Sequence, residues 1–239
     1  MIMSMGNQNM STNGTKSDID FHAHILQGCD HGSKNLQESL EQLDLAWDAG
    51  VGIVCATPHF YPQRESLSDF LMRRSHCWEK LCPNLSSERP QVRLGAEVLI
   101  CSGMERMDGI EKLCLEGTNL LLLEMPFTRW SKNVKETALA IADRKDVQVV
   151  LAHIDRYDAE DVYELMSEGI KAQINVENLC RQLKGHQLRN MIARGEVFAV
   201  GSDIHGTETG YRSWIKSKKL LKRDWDSLMV QLGSKIAGN

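Results

Sequence analysis

The pattern of apolar and polar positions alternates between two periods from residue 18 onwards. Short apolar runs typical of strands are separated by longer segments whose apolar residues recur every three or four positions, as in Leu36, Leu40, Leu43 and Ala46. The short runs predict seven strands, at residues 18–22, 52–57, 92–98, 119–124, 147–153, 172–176 and 197–202. The longer segments predict helices at residues 35–49, 66–81, 132–144, 159–168 and 182–194.

This alternation is typical of parallel strands joined by right-handed crossovers. The chain has 239 residues, which suits one α/β barrel, a fold of about 250 residues. We expect one domain over residues 18–239, because no repeat or linker divides it. The polar stretch 1–17 lacks the apolar core of a signal peptide and predicts a disordered tail. Residues 101–118 predict a short helix and a loop, and residues 211–236 are amphipathic with a basic middle.

The amino-acid composition argues against nucleic acid and membranes as binding partners. The formal net charge of −4 provides no basic field for nucleic acid. No apolar run reaches the roughly twenty residues that a membrane helix needs, so we expect no membrane insertion. The seven cysteines are scattered without a C-x-x-C pair, which favours reduced thiols in a cytoplasmic protein. The oligomeric state stays open, with a homo-oligomer as one alternative.

Histidines and carboxylates collect where the predicted strands end. His22 and His24 lie two positions apart at the end of the first strand, so their side chains project to the same side. Six of the eight histidines follow a strand in this way, and the carboxyl ends of parallel strands are where such folds build sites. The candidate ligands are His22, His24, His31, His59, Glu97, Glu124, His153, Asp203 and His205.

These nine side chains are too many for one ion. A mixed set of imidazoles and carboxylates suits two or three divalent cations such as Mn²⁺, Zn²⁺ or Fe²⁺. The ligands by themselves do not decide which ion is loaded, and we expect Mn²⁺ first. Clustered cations of this kind activate a bridging water and hold the oxygens of an in-line displacement at phosphorus. A thiolate mechanism is not expected, because no arginine stands six places after any cysteine to complete a C-x5-R phosphate loop.

Six stretches carry a resemblance to a known family. They are residues 20–26 (DFHAHIL), 56–59 (ATPH), 95–97 (GAE), 123–127 (LEMPF), 152–157 (AHIDRY) and 201–205 (GSDIH). By these stretches and their order, the chain resembles the PHP (polymerase and histidinol phosphatase) superfamily. Within it, the chain resembles the bacterial capsular polysaccharide tyrosine-protein phosphatases of the CpsB/YwqE type. The HxH, Glu and DxH elements are shared across the superfamily, whereas AHIDRY and EMPF are narrower.

The resemblance implies a distorted seven-stranded (β/α)7 TIM-like barrel, the PHP fold, with a trinuclear metal site. It implies hydrolysis of phosphotyrosine on a bacterial tyrosine kinase that controls capsule and exopolysaccharide export. We expect a metal-bridging hydroxide to attack the phosphorus, and the sequence singles out no general acid. The resemblance also implies that Arg156 contacts the phosphate, with Arg212 as a second candidate. The planar fork of an arginine can hold two phosphate oxygens.

One departure from the family pattern concerns the loop after the first strand. This branch usually carries Asp-Asp-Gly there, whereas this chain has Asp30-His31-Gly32, and histidinol phosphate phosphatases of the superfamily carry His-Gly. We assign His31 as the ligand, with Asp30 as the alternative. Histidinol phosphate phosphatase, or another small-molecule phosphoesterase of the superfamily, therefore remains the alternative function. A metal-dependent amidohydrolase and a non-catalytic binding module with a relic site are the other two alternatives.

Overall fold

The structure is a computed structural model that describes residues 16–207 and 211–236. Its strands are β1 Asp18–Ala23, β2 Val51–Ala56, β3 His59–Phe60, β4 Gln91–Leu94, β5 Glu97–Leu99, β6 Leu120–Glu124, β7 Gln148–Leu151, β8 Lys171–Asn175 and β9 Ala199–Gly201. Its α-helices are α1 Leu36–Asp48, α2 Leu67–Leu81, α3 Lys132–Ala142, α4 Ala159–Ser167, α5 Val176–Leu179, α6 Leu183–Ala193, α7 Arg212–Leu221 and α8 Arg223–Ile236. Short 3₁₀ turns lie at Cys82–Asn84, Met104–Arg106, Ile110–Leu113 and Ile154–Arg156.

The strands follow one another around an irregular ring, and every pair is parallel. One sheet has the order β1-β2-β4, and the other has the order β3-β5-β6-β7-β8-β9. Two backbone hydrogen bonds connect the end of β1 to the chain just after β9. The amide of Asp203 donates to the carbonyl of His22 (2.8 Å), and the amide of His24 donates to that of Ile204 (3.2 Å). The predicted parallel α/β barrel is confirmed.

Two of the seven predicted strands are each divided into two. The second is interrupted between β2 and β3, where Pro58 has no N–H to donate to a strand ladder. The third is interrupted between β4 and β5, and the amide of Glu97 donates to the carbonyl of Pro58 (3.1 Å). These interruptions let β3 and β5 join the second sheet, where His59 pairs in register with Glu97. The strand breaks thus place two candidate ligands side by side.

The helices begin at polar caps that the sequence supplies. The side chain of Asn35 accepts from the amide of Glu38 (3.0 Å) at the start of α1. Ser66 accepts in the same way from Asp69 (3.2 Å) at the start of α2. Each bond satisfies an N–H that has no partner within the helix. Helix α1 then buries Leu43, one of its predicted apolar positions, in the core.

The amphipathic segment near the carboxyl terminus forms two helices. Helices α7 and α8 are separated at Lys222, whose φ of 51° lies in the left-handed region. Trp214 and Trp225 pack edge to face with ring centroids 5.0 Å apart, so the two helices share an apolar contact. The indole of Trp214 donates to the carboxylate of Asp18 (3.1 Å), which ties α7 to β1.

Four further predictions concern residues 101–118, the amino-terminal tail, membrane helices and the cysteines. The predicted short helix in 101–118 is present as two 3₁₀ turns. The predicted tail 1–17 falls, for residues 1–15, outside the described residues. Among the helices that the structure describes, none combines the length and apolar character needed to cross a bilayer. All seven cysteines are free thiols, in agreement with the expected reduced state.

Candidate metal centre

The two histidines of β1 converge as their spacing predicts. His22 and His24 are fully enclosed, with relative exposures of 0 and 1%. Their Nε2 atoms lie 3.1 Å apart, because alternate residues of an extended strand face the same way. Two buried imidazoles whose ring nitrogens lie side by side are an arrangement that can bind one cation.

The carboxylate of Glu97 lies at the centre of the cluster. Its Oε2 atom is 3.2 Å from the Nε2 of both His22 and His24, and 3.0 Å from the Nδ1 of His59. Its Oε1 atom is 2.7 Å from the Nε2 of His153. Burial by itself would raise the pKa of Glu97, but the charge of His22 and the hydrogen bond from His153 hold that pKa well below its usual range. Glu97 is therefore an ionised carboxylate surrounded by four imidazoles.

Asp203 and His205 enter the cluster from the chain that follows β9. The Oδ1 of Asp203 lies 3.6 Å from the Nε2 of His22 and 3.4 Å from that of His24. The ring of His205 stacks on that of His24 with centroids 4.1 Å apart. Asp203 (φ 51°) and His153 (φ 31°) are two of the three non-glycine residues with positive φ in the described chain. Backbone strain of this kind concentrates at functional sites.

Glu124 supplies a further carboxylate at the end of β6. One of its oxygens lies 3.8 Å from the Nδ1 of His59, and the other lies 3.8 Å from the Nε2 of His153. Burial, and then the charge of Glu97, raise the pKa of Glu124 to about 8. A cation bound in the pocket would favour the ionised form of Glu124 and offset the rise in its pKa. The carboxylates therefore fit a site that binds cations.

Three overlapping groups of side chains present donor atoms within 4.8 Å of one another. They are His24, His59 and His205; His22, His24 and Asp203; and His59, Glu97 and Glu124. Within these groups the Nδ1 of His59, the Oε2 of Glu97 and the Nε2 of His205 are buried without a hydrogen-bond partner. Buried polar atoms without partners are costly, and coordination to cations would satisfy them. The residues therefore fit more than one divalent ion of borderline softness.

A second layer of polar side chains holds the imidazoles in place. Asp30 accepts from the Nδ1 of His24 (2.7 Å) and from the backbone amide of His59 (3.0 Å). Such carboxylate partners fix the tautomer and orientation of a metal-binding histidine. The Oε1 of Gln173 accepts from the amide of His153 (2.6 Å) and lies 3.4 Å from the Nδ1 of His22.

Sequence reasoning missed the residues that β8 contributes. Gln173 and Asn175 alternate with apolar residues in this strand, and that alternation was the signal available in the sequence. Asn175 donates to the Oδ2 of Asp203 (2.8 Å), so Gln173 and Asn175 both reach candidate ligands or their neighbours.

His31 lies at the outer side of the cluster. Its ring stacks on those of His59 and His205, with centroids 4.7 Å and 4.5 Å away, but it is not a member of the three close donor groups. The residue is largely exposed, and the partial burial of its ring, followed by the charge of His59, lowers the pKa of His31. Its neighbour Asp30 points inward, as its bond to His24 shows.

The two arginines implied by the resemblance occupy different places. The guanidinium of Arg156 contacts the Oδ2 of Asp203, and 40% of the Arg156 side chain is exposed. It therefore lies at the edge of the cluster with part of its surface open to solvent. Arg212 is exposed in the first turn of α7 and forms no ion pair with another described residue.

Two aromatic rings lie against the outer imidazoles. The ring of Tyr61 stacks on His59 with centroids 5.1 Å apart, and the ring of Phe127 stacks on His153 at 5.9 Å. Each ring therefore lies against an imidazole that contacts Glu97.

The fold and the site together define an α/β-barrel protein with a cluster of metal-ligating side chains at the carboxyl ends of its strands. The model of the family "Capsular polysaccharide synthesis, CpsB/CapC" matches residues 18–231. The chain belongs to this family, which confirms the resemblance to the CpsB/YwqE type.

Relatives extend over most of the chain. The tyrosine-protein phosphatase CpsB of Streptococcus agalactiae is 26% identical over 221 residues, which cover 87% of this chain and 90% of that protein. The tyrosine-protein phosphatase YwqE of Bacillus subtilis is 26% identical over 203 residues, covering 80% of this chain and 78% of the relative.

A solved structure shares the fold. It comes from a study of YwqE from Bacillus subtilis and CpsB from Streptococcus pneumoniae, described as unique metal-dependent tyrosine phosphatases. It superposes with a TM-score of 0.73 at 22% sequence identity, covering 92% of this chain and 95% of that one. At this identity the likeness shows the fold.

Proposed function

We propose that this chain is a metal-dependent protein-tyrosine phosphatase that hydrolyses phosphotyrosine. The observation that carries the proposal is the buried cluster in which Glu97 meets four imidazoles beside Asp203 and Glu124. The family membership and the phosphatases among the relatives support the same activity.

Two or three divalent cations, with Mn²⁺ first and Fe²⁺ or Zn²⁺ as alternatives, are the proposed cofactors. When bound, such ions supply a nucleophilic water at neutral pH and positive charge for the phosphoryl oxygens. The residues proposed to hold them are His22, His24, His31, His59, Glu97, Glu124, His153, Asp203 and His205. Asp30 holds the ring of His24 so that its Nε2 faces the cluster.

Arg156 is the proposed phosphate contact of the chain itself. Its guanidinium is fixed at one side by Asp203, and its exposed part can hold two oxygens of an incoming phosphoryl group. The leaving group is tyrosinate, whose conjugate phenol has a pKa of about 10. Protonation of the leaving group therefore contributes less than it would for an alkyl alcohol. Arg212 stays a second candidate, which would have to reach the site from the first turn of α7.

The proposed partner is a phosphotyrosine protein, namely a bacterial tyrosine kinase of polysaccharide export. The family description names capsular polysaccharide synthesis, and this process supports the choice. We place the reaction in the cytoplasm, in agreement with the free cysteines.

Phosphate release from a phosphotyrosine peptide tests the proposal. We expect EDTA to abolish release, Mn²⁺ to restore it, and thiol alkylation to leave it unchanged. Activity that survives EDTA but is lost on alkylation would contradict the metal mechanism. Faster hydrolysis of histidinol phosphate than of the peptide would favour the small-molecule alternative instead.

Two arginine variants test the phosphate contact in the same assay. Arg156→Gln is expected to lower kcat/KM about a hundredfold, because a preorganised donor to the phosphoryl group is lost. Its Mn²⁺ content should stay at the wild-type level. Arg212→Gln is the matched variant: a comparable loss there would bring Arg212 into the site, and wild-type activity would remove it.

A further inference from the structure

Phe127 is an exposed aromatic residue beside the imidazole of His153. Its relative exposure is 66%, although its ring lies 5.9 Å from those of both His153 and Tyr157. Burying a phenyl side chain stabilises a fold, and this exposed ring forgoes most of that contribution. The position of Phe127 is therefore not explained by packing in the core.

A cavity of about 300 Å³ lies beside this ring. Its lining includes Phe127, Trp130, Arg156 and Tyr157. A cavity of about 150 Å³ is enough to bind benzene, so a phenyl group fits here. Arg156 connects this cavity to the metal centre, because its guanidinium also contacts Asp203.

Three carboxylates and two arginines line the cavity: Asp158, Glu160, Asp161, Arg129 and Arg156. Asp161 accepts from the ammonium of Lys135 (3.0 Å), and Asp158 accepts from the backbone amide of Glu160 (3.0 Å) at the start of α4. The ammonium of Lys135 offsets the charge of Asp161, and the two guanidinium groups provide positive charge for an incoming anion.

Tyr61, the aromatic residue beside His59, differs from Phe127 in what covers its ring. The ring of Tyr61 is covered by the guanidinium of Arg64, 4.9 Å from its centroid. Among the described residues, no such cation lies over the ring of Phe127. Phe127 thus offers a free aromatic surface to a ligand.

We propose that Phe127 determines specificity for aryl phosphates by stacking on the phenyl ring of phosphotyrosine in the cavity that it shares with Arg156. The inference rests on the proposed phosphatase function and adds the residue that selects the substrate class. An alkyl phosphate such as phosphoserine has no ring to place there, so it would leave Phe127 exposed to water. Offset stacking of two aromatic rings supplies the selective part of the binding.

Calorimetric titration of the Mn²⁺-loaded protein with phenylphosphonate and with inorganic phosphate tests this. Phe127→Ala is expected to weaken phenylphosphonate binding about tenfold, the scale of one aromatic pair, and phosphate binding less than about twofold. Phe127→Trp should keep the preference for the aryl ligand. Tyr163→Ala removes another exposed aromatic side chain, on α4, and should change neither affinity.

Other results would overturn the inference. Equal losses for both ligands would mean that Phe127 only holds His153 in place. Unchanged affinities, or a wild type that binds phenylphosphonate no more tightly than phosphate, would remove the stacking role.

The KM for a phosphotyrosine peptide separates this inference from the proposed function. If the wild type hydrolyses the peptide and Phe127→Ala leaves its KM unchanged, the inference fails and the function stands. If the wild type does not hydrolyse the peptide but the aryl preference depends on Phe127, the proposed function fails and the aryl site stands.

Discussion

At the scale of single residues, Asp30 and His31 show how neighbours in sequence take separate roles. Asp30 is turned inward and binds the Nδ1 of His24 and the amide of His59. His31 is turned outward and stacks on the imidazoles of His59 and His205. The first therefore orients a ligand, whereas the second can add a donor from the solvent side.

Paired variants distinguish these roles by metal titration. Asp30→Asn is expected to weaken Mn²⁺ binding about 10- to 100-fold with the number of bound ions unchanged, because the orienting carboxylate is lost. At a Mn²⁺ concentration that just saturates the wild type, His31→Gln is expected to bind fewer ions, because a donor is lost. A full complement of ions in His31→Gln would exclude His31 from the ligand set.

At the scale of elements, the contact between β1 and β9 depends on a glycine. A Cβ at Gly201 would lie 2.6 Å from the Cβ of His22 and 2.8 Å from the Nε2 of Gln173. Both distances are shorter than side chains tolerate, so a larger residue would push β9 away from β1. The position of His22, and with it the metal centre, is thus tied to the closure of the ring.

Gly201→Ala is therefore expected to lower the free energy of unfolding by about 1–3 kcal/mol, the usual cost of overpacking. Urea unfolding of the metal-free protein measures it. Gly95→Ala is the matched variant, because its Cβ would lie 3.4 Å from Thr57 in ordinary contact. That change should alter stability by less than about 1 kcal/mol. Equal effects of the two variants would argue against a special role for the β1–β9 contact.

At the scale of the whole molecule, the fold gathers Glu97, Glu124 and Asp203 from three distant parts of the chain into one buried pocket. Burial of Glu124, and then the charge of Glu97, raise the pKa of Glu124 to about 8, so the ionised form of Glu124 opposes folding. The folded protein therefore binds a proton on Glu124 more tightly than the unfolded chain does. The stability that protonation of Glu124 provides is fully present below pH 4.5, the ordinary pKa of a glutamate. It is lost as the pH rises through the folded-state pKa of about 8. Bound cations reverse this effect.

Metal removal should therefore destabilise the protein at neutral pH. Mn²⁺ at a hundred times its dissociation constant adds about 2.7 kcal/mol, or about 5–10 °C in Tm for a chain of this size. Thermal unfolding with EDTA and with Mn²⁺ measures the difference. Glu124→Gln should raise the Tm of the metal-free protein and reduce the gain from Mn²⁺. A lower Tm of the metal-free variant would show that the ionised carboxylate of Glu124 does not oppose folding.

Much of the fold was predictable because the period of apolar residues reports secondary structure directly. The seven strand positions, the helices between them and the parallel order followed from this period and from the right-handed rule for crossovers. The strand breaks at Pro58 and at Gly95 were not predicted, since they depend on how neighbouring strands pair. The polar positions Gln173 and Asn175 of β8 were missed for a similar reason, because an amide in a strand carries no chemistry until its neighbours are known.

The sequence by itself determined which side chains stand at the ends of the strands, since a strand end is a local property of the chain. It therefore named the imidazoles and carboxylates that the structure brings together. Only the tertiary structure decided their distances, such as the four imidazoles around Glu97, and which of them are buried. It also decided that Asp30 faces His24 and that Phe127 stays exposed. These are relations between residues far apart in sequence, and no local pattern encodes them.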